Sequence, residues 1–310
     1  MRQIDFELTT YCNARCAFCN RTNDPALKLE HMDWNIIENI PIERFSHLML
    51  LGNRGDAQMY PKLFDLIKHF ERNSKAVVTI HTNGSYRSKE WWSELAKIHR
   101  YYKANKTIFA LDGFEDTHSL YRKGTDYNKV IENIDSYIKS GGNAWVQTLI
   151  FKHNEHQIDE MKRMLKEIGI TKIWIRQSRS YNDELQRPEL MMNKTRHEQS
   201  YDKKRVPISC IHQSGDVYIR VDGEVRPCCF MGDEKYKQEF IEFMKRDLSC
   251  LKYIIEYCKN PRSINLKYHT FDEVMDSVYF KAIKKDYKKI YQCNLKCRVR
   301  FDEIVKEERM

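Results

Sequence analysis

The sequence predicts an α/β protein, an open partial (β/α)6 barrel followed by a small α+β domain. In residues 1–180, short apolar β-rich runs alternate with segments of helical period six times, which is typical of a parallel sheet with crossover helices. Six units are too few for a closed eight-stranded barrel. The pattern changes after residue 180. We therefore expect the barrel in residues 1–180, a linker or lid in 181–206 and the small domain in 207–310.

The predicted strands are rich in Val, Ile, Leu, Phe and Thr, and they comprise residues 3–8, 47–51, 76–81, 107–111, 144–151 and 172–176. The predicted helices have apolar residues at helical spacing, and they comprise residues 33–40, 63–70, 89–97, 127–140 and 155–168. Ligands of such folds bind at the carboxyl ends of the parallel strands. The loops that follow the strands are therefore the place to look for functional residues.

The loop after the first strand contains Cys12, Cys16 and Cys19 in CxxxCxxC spacing, with Phe18 before the last cysteine. Three thiolates in one short loop can converge on one metal centre. They supply three ligands, whereas a structural zinc site takes four. A zinc site completed from elsewhere and an iron–sulfur cluster are the two alternatives at this point.

This loop resembles the cluster loop of the radical SAM superfamily. In that family three cysteines hold three irons of a 4Fe–4S cube, and the fourth iron is open to S-adenosylmethionine. The resemblance implies an oxidoreductase or related radical-transfer enzyme that reductively cleaves S-adenosylmethionine to a 5′-deoxyadenosyl radical, which abstracts a substrate hydrogen. It also implies a flavodoxin- or ferredoxin-type electron donor. The resemblance points to no catalytic acid, base or hydrogen donor, and it includes Phe18 among the cofactor contacts.

The resemblance continues at the end of the second strand, where the family has a glycine-rich turn, often Gly-Gly-Glu, that binds the methionine amino group. The matching stretch here reads Gly-Asn-Arg-Gly-Asp, so the glutamate is missing. The resemblance assigns the amino group to Gly52, Asn53, Gly55 and Asp56, through the Asp56 carboxylate or backbone carbonyls. An ordinary turn, in which glycine permits close backbone approach, is the alternative.

Strands three and four end in two further similarities. Residues 82–85 read Thr-Asn-Gly-Ser, like the family's Thr-Asn-Gly, and Asn83 either faces the cofactor or only shapes the turn. Residues 110–113 read Ala-Leu-Asp-Gly, similar to the Ser-x-Asp-Gly that approaches the ribose in relatives. Because alanine replaces the serine, Asp112 is the remaining polar candidate.

Strands five and six each carry one polar residue that needs a partner inside a barrel. Gln147 lies in an otherwise apolar run, and either the cofactor or a structural network could satisfy it. For Arg176 we favour the cofactor carboxylate, because a guanidinium binds a carboxylate through two parallel hydrogen bonds. Asn154 and Gln157 are spaced as a capping box, so we expect Asn154 to cap the following helix.

A second group of cysteines follows the predicted barrel. Cys210 is followed by twelve residues, Gly223, four residues and Cys228, which resembles the opening of the SPASM and Twitch extensions of radical SAM enzymes. With Cys293 and Cys297, the resemblance implies one auxiliary iron–sulfur cluster, of the 4Fe–4S type. A zinc ion on the same four cysteines is the alternative. Cys229 is expected to point away from Cys228, since side chains alternate along a strand.

Composition limits the function classes. The net charge of +9 comes from 53 basic and 44 acidic residues and fits an anionic substrate or redox partner, with nucleic acid possible. The mean hydropathy of −0.70 and the missing long apolar run exclude a membrane protein. With no secretory signal, we expect a cytoplasmic protein.

The chain begins at the first strand, without a preceding peptide-recognition domain. We therefore expect a small-molecule or sugar substrate that is oxidised or rearranged, in preference to a peptide or RNA. Modification of a peptide or RNA is the alternative within the same family. A non-enzymatic iron–sulfur or zinc protein is the alternative outside it.

Overall fold

The computed structural model describes residues 2–189, 215–231, 257, 259–287 and 306–309. Within these ranges the strands are β1 Gln3–Phe6, β2 His47–Leu50, β3 Val77–Thr82, β4 Lys106–Ala110, β5 Ala144–Ile150, β6 Lys172–Gln177, β7 Val217–Ile219, β8 Val225–Arg226 and β9 Lys306–Arg309. They form one sheet in the order β8-β7-β1-β2-β3-β4-β5-β6-β9. The six predicted strands are present, parallel and in chain order, which confirms a mostly parallel α/β fold.

The α-helices of the described ranges are α1 Trp34–Glu38, α2 Leu63–Asn73, α3 Lys89–His99, α4 His118–Tyr121, α5 Tyr127–Lys139, α6 Ile158–Glu167, α7 Phe271–Met275 and α8 Val278–Asp286. Helix α2 shows why these segments fold as they do: its buried residues, among them Leu66 and Phe70, recur at helical spacing. They pack in one large core with Leu48 and Val78 of the sheet. The helices therefore cover one face of the sheet.

The opposite face, here called the inner face, carries the alternate strand residues. Strand register places His81, Ile108 and Trp145 side by side across β3, β4 and β5. The next layer towards the carboxyl ends places Gln147 beside Trp174. Because side chains alternate along each strand, this face presents a polar and aromatic surface that leads to the carboxyl-end loops.

The described segments beyond residue 206 extend this same sheet at both edges. Strand β7 pairs parallel with β1, and β7 and β8 form the predicted hairpin, with Gly223 at φ +86° in its turn. Strand β9 pairs antiparallel with β6 and was not predicted. Cys210, Cys293 and Cys297 lie outside the described residues. Across the described ranges, no helix combines the length and apolar character needed to cross a membrane.

Candidate active site

A cavity of about 200 Å³ lies where the loops after β1, β2 and β3 meet the inner face. Most of the predicted site residues line it together, namely Cys12, Cys16, Cys19, Gly52, Asn53, Gly55, Asp56, Asn83 and Gln147. The lining residues that were not predicted include four with basic side chains, Arg21, Arg54, His81 and Arg122. Of the predicted set, Phe18, Asp112 and Arg176 are not among the described residues that line it.

The cysteine loop is fixed by one arginine. Arg21 donates hydrogen bonds from its guanidinium to the backbone carbonyls of Thr10 at 3.2 Å, Ala14 at 3.1 Å and Cys12 at 2.7 Å. Three bonds to one side chain hold the backbone of the loop in a single conformation. Nothing in the sequence pattern distinguishes this arginine from a surface residue, because its partners are carbonyls that every residue has.

The outer side of the cysteine loop packs in a small apolar core that is separate from the large one. Phe18 lies 6.1 Å from the ring of Tyr121, which lies 5.1 Å from that of Phe151, and Cys16 is buried among them. Burial, followed by the nearby Asp56 charge, raises the pKa of the Cys12 thiol to about 12. Thiols in such a place become thiolates only when a cation compensates the charge.

The arrangement fits a cluster better than a single ion. Within the described ranges, no three His, Cys, Asp or Glu side chains are close enough to hold one metal ion, although Cys12, Cys16 and Cys19 line one cavity. A zinc site needs all its ligands on one centre. An iron–sulfur cube binds each thiolate to a different iron and so accepts ligands that stand farther apart.

Asp112 is engaged in a buried ion pair. Its Oδ2 accepts from Arg122 Nε at 2.7 Å and its Oδ1 from the Leu149 amide at 2.7 Å, and the residue is 0% exposed. The paired guanidinium extends to 4.0 Å from Cys16 Sγ. Because both carboxylate oxygens already have donors, the geometry favours a role for Asp112 in holding Arg122 beside the cysteine over contact with a ribose.

Asp56 and Asn83, which line the cavity, form a saturated hydrogen-bond network, here called the turn network. Asp56 accepts from the backbone amides of Gln58 at 3.1 Å and Asn83 at 2.7 Å and from the Thr82 hydroxyl at 2.8 Å. The Asn83 amide donates to Cys12 Sγ at 3.5 Å. Both side chains therefore shape the loops, and Asn83 also contacts a predicted cluster ligand.

The glycine-rich turn approaches its neighbours closely. A Cβ on Gly55 would overlap the carbonyl of Thr9, so only glycine allows this turn to lie against the loop after β1. Beside it, Asn53 donates through Nδ2 to the Cys229 carbonyl at 2.8 Å. Cys228 packs against the large core. Cys229 is half-buried, and burial, followed by the charge of Asp5, raises the pKa of its thiol to about 11.

Arg176 on β6 and Asn154 after β5 have neighbours other than those predicted. Arg176 stacks on Trp174, with its guanidinium carbon 5.2 Å from the ring centroid, rather than lining the cavity. Asn154 makes no cap: it accepts from the Phe151 amide and donates to the carbonyls of Asp112 and Leu149. The capping prediction was wrong because the same side chain bridges the ends of β4 and β5 instead.

Comparisons with known proteins agree with this geometry. The radical SAM superfamily profile matches residues 6–167. No curated protein matches the chain. Among solved structures, Streptococcus suis SuiB bound to S-adenosylmethionine is similar at 16% identity and a TM-score of 0.55, covering 74% of this chain and 61% of its own. This chain thus spans less than two thirds of SuiB.

A second solved structure, native anSMEcpe with bound AdoMet, is similar at 14% identity and a TM-score of 0.58 over 96% of this chain and 88% of its own. Other structures of these two proteins contain the precursor peptide SuiA and a Cp18Cys peptide. Both neighbours thus bind peptides, which contradicts the expectation of a small-molecule or sugar partner. That expectation rested on the lack of a peptide-recognition domain before the first strand, which does not decide the class of substrate.

Proposed function

Because the chain belongs to the radical SAM superfamily, we propose that it cleaves S-adenosylmethionine reductively and uses the 5′-deoxyadenosyl radical to abstract hydrogen from a peptide. The observation that carries the proposal is the convergence of Cys12, Cys16 and Cys19 on one cavity at the carboxyl ends of the strands. The bound cluster would supply the electron for that cleavage. A peptide substrate is supported by the peptide-bound SuiB and anSMEcpe structures.

The chain's own residues would prepare the site for this chemistry. Arg21 fixes the loop that presents the three thiols. The Asn83 side-chain amide at Cys12 Sγ and the Arg122 guanidinium near Cys16 Sγ would stabilise negative charge on the sulfurs and so raise the reduction potential of a bound cluster. The apolar core around Phe18, Tyr121 and the cysteines keeps water from the outer side of the loop. Gln147 remains a candidate cofactor contact.

The proposal includes an auxiliary cluster in the manner of SPASM and Twitch extensions. Cys228 follows the β7–β8 hairpin directly, as this resemblance requires, and Asn53 bonds the neighbouring Cys229 carbonyl. The chain would hold about eight irons, from two cubes, and Cys228→Ala about four. Four irons with one zinc in the wild type would mean a structural zinc at the second site. Equal iron in both proteins would remove Cys228 as a ligand.

Anaerobic reconstitution tests the activity. The protein is loaded with iron and sulfide, reduced with dithionite and supplied with S-adenosylmethionine, and 5′-deoxyadenosine is measured. We expect its release, because only an enzyme of this class makes it. A protein that binds iron without releasing 5′-deoxyadenosine would be a metal-binding protein, and the proposed function would be wrong.

A further inference from the structure

Two buried nitrogen atoms on the inner face have no hydrogen-bond partner among the described residues. They are Nε2 of His81 and Nε1 of Trp174, and their rings lie 6.3 Å apart. A buried polar group without a partner costs about 1–3 kcal/mol. Native structures seldom keep such a group unless a ligand or an ordered water satisfies it. Two of them side by side therefore indicate a place for something that accepts hydrogen bonds.

This pair borders the cofactor cavity. His81 is one of the residues that line it, and Trp174 lies beside Gln147, another lining residue, in the strand register. The pair thus lies on the same continuous surface as the cysteine loop. Its residues are on β3 and β6, whereas the glycine-rich turn follows β2. A group bound there would lie next to the reaction site without replacing the cofactor.

The surroundings of the pair are positively charged and aromatic. Arg176 stacks on Trp174, and the rings of Trp174 and Trp145 lie 5.6 Å apart. The ammonium groups of Lys106 and Lys172 lie 4.9 Å and 4.4 Å from the centroid of the Trp145 ring. The fixed charge of the neighbourhood is therefore positive.

The charge state of His81 agrees with this field. Burial first, and then the charges of Arg176 and Lys106, lower the pKa of His81 to about 4, so the imidazole is neutral at pH 7. A neutral imidazole can donate from Nε2, and an indole N–H can only donate. Two neutral donors inside a positive field select an anionic acceptor over a cationic or purely apolar group.

We propose that His81 and Trp174, within the positive field of Arg176, bind a carboxylate of the substrate, an Asp or Glu side chain of a peptide. The inference rests on the proposed function and adds to it that the peptide substrate has an acidic residue near the position that reacts. S-adenosylmethionine also has a carboxylate. Its amino and carboxylate groups share one carbon, so a methionine end held at the Gly52–Asp56 turn keeps its carboxylate near that turn, which follows β2, whereas Trp174 lies on β6.

The test follows the indole N–H signals of the five tryptophans in ¹⁵N-labelled reconstituted protein by NMR. The probes are N-acetyl-glutamate amide, its glutamine analogue as the uncharged match, and S-adenosylmethionine. We expect the glutamate probe, and not S-adenosylmethionine, to move the Trp174 signal downfield. The glutamine probe should bind the wild type about tenfold more weakly, and the glutamate probe should bind His81→Phe about tenfold more weakly. Trp174→Phe identifies the signal by its loss.

The control variant is Trp34→Phe, because the Trp34 indole already donates to Glu38 at 2.8 Å on the surface. Binding of the glutamate probe should be unchanged in it. Equal shifts with both amino-acid probes, no shift at Trp174, or a shift caused by S-adenosylmethionine alone would each overturn the proposal. A glutamate-specific shift in a protein that releases no 5′-deoxyadenosine would keep this subsite and remove the proposed activity.

Discussion

Two polar regions border the same cavity and differ in how their hydrogen bonds are satisfied. In the turn network, Asp56 accepts three hydrogen bonds, and Asn83 bonds four neighbours including Cys12. On the inner face, Nε2 of His81 and Nε1 of Trp174 have no partner within the described ranges. The first region is complete without a ligand, and the second is not.

The difference separates scaffold from binding surface. A saturated network gives its full stabilisation in the free protein, so its residues act through the loops that they hold. Unsatisfied donors reduce the stability of the free protein and recover that free energy when a ligand binds. Polar residues that line a cavity are therefore not equivalent, and the number of hydrogen bonds already made distinguishes them.

The largest effect is expected at the cysteines. Cys12→Ala, Cys16→Ala and Cys19→Ala together should reduce the release of 5′-deoxyadenosine to background. The fold should remain, because Arg21 holds the loop through backbone carbonyls that the substitutions keep. Circular dichroism checks the fold. Cleavage at a rate near that of the wild type would refute the assignment of the cluster to this loop.

Asp56→Ala tests the complete region. Removing the carboxylate leaves three buried donors unsatisfied, and we expect a loss of about 3–5 kcal/mol in the free energy of unfolding. Urea denaturation measures it. The matched control is Asp33→Ala, which removes one hydrogen bond at the exposed start of α1 and should cost about 1 kcal/mol. Similar losses in the two variants would mean that the network contributes little.

The pH dependence of stability tests the incomplete region. Burial lowers the pKa of His81 from 6.5 to about 4 in the folded protein. Its contribution to the free energy of unfolding is therefore complete above pH 6.5 and is lost as the pH falls towards 4. Relative to His81→Gln, the wild type should lose about 3 kcal/mol between pH 7 and pH 4. Urea midpoints of both proteins measure the difference. A constant difference across this range would show that His81 is not held neutral.

The smallest effect is expected for Trp174→Phe. This change removes a buried donor that has no partner in the described structure and keeps an aromatic ring against His81, so the free energy of unfolding should change by less than about 1 kcal/mol. Thermal or urea denaturation would detect more. A loss of several kcal/mol would mean that the indole N–H already makes a bond that stabilises the free protein.

Strand positions and the cysteine loop were predictable because they depend on local pattern. Period-two and helical hydrophobicity fix the strands within a few residues, and CxxxCxxC spacing places three thiols in one loop. The partners of Asp112 and Asn154 were not predictable, since each bonds residues on other strands. Arg21, His81 and Arg122 carry no local signal for the same reason: tertiary contacts alone give them a place in the site.

The pairing of β1 with β7 has a consequence for how the chain folds during synthesis. Ile4 pairs with Val217, so the outer edge of the first strand stays unpaired until more than two hundred residues have left the ribosome. An exposed strand edge is a template for association with other chains, and pairing between such distant segments slows folding. The nascent barrel is therefore a natural client for chaperones that shield strand edges, and slow translation would prolong that need.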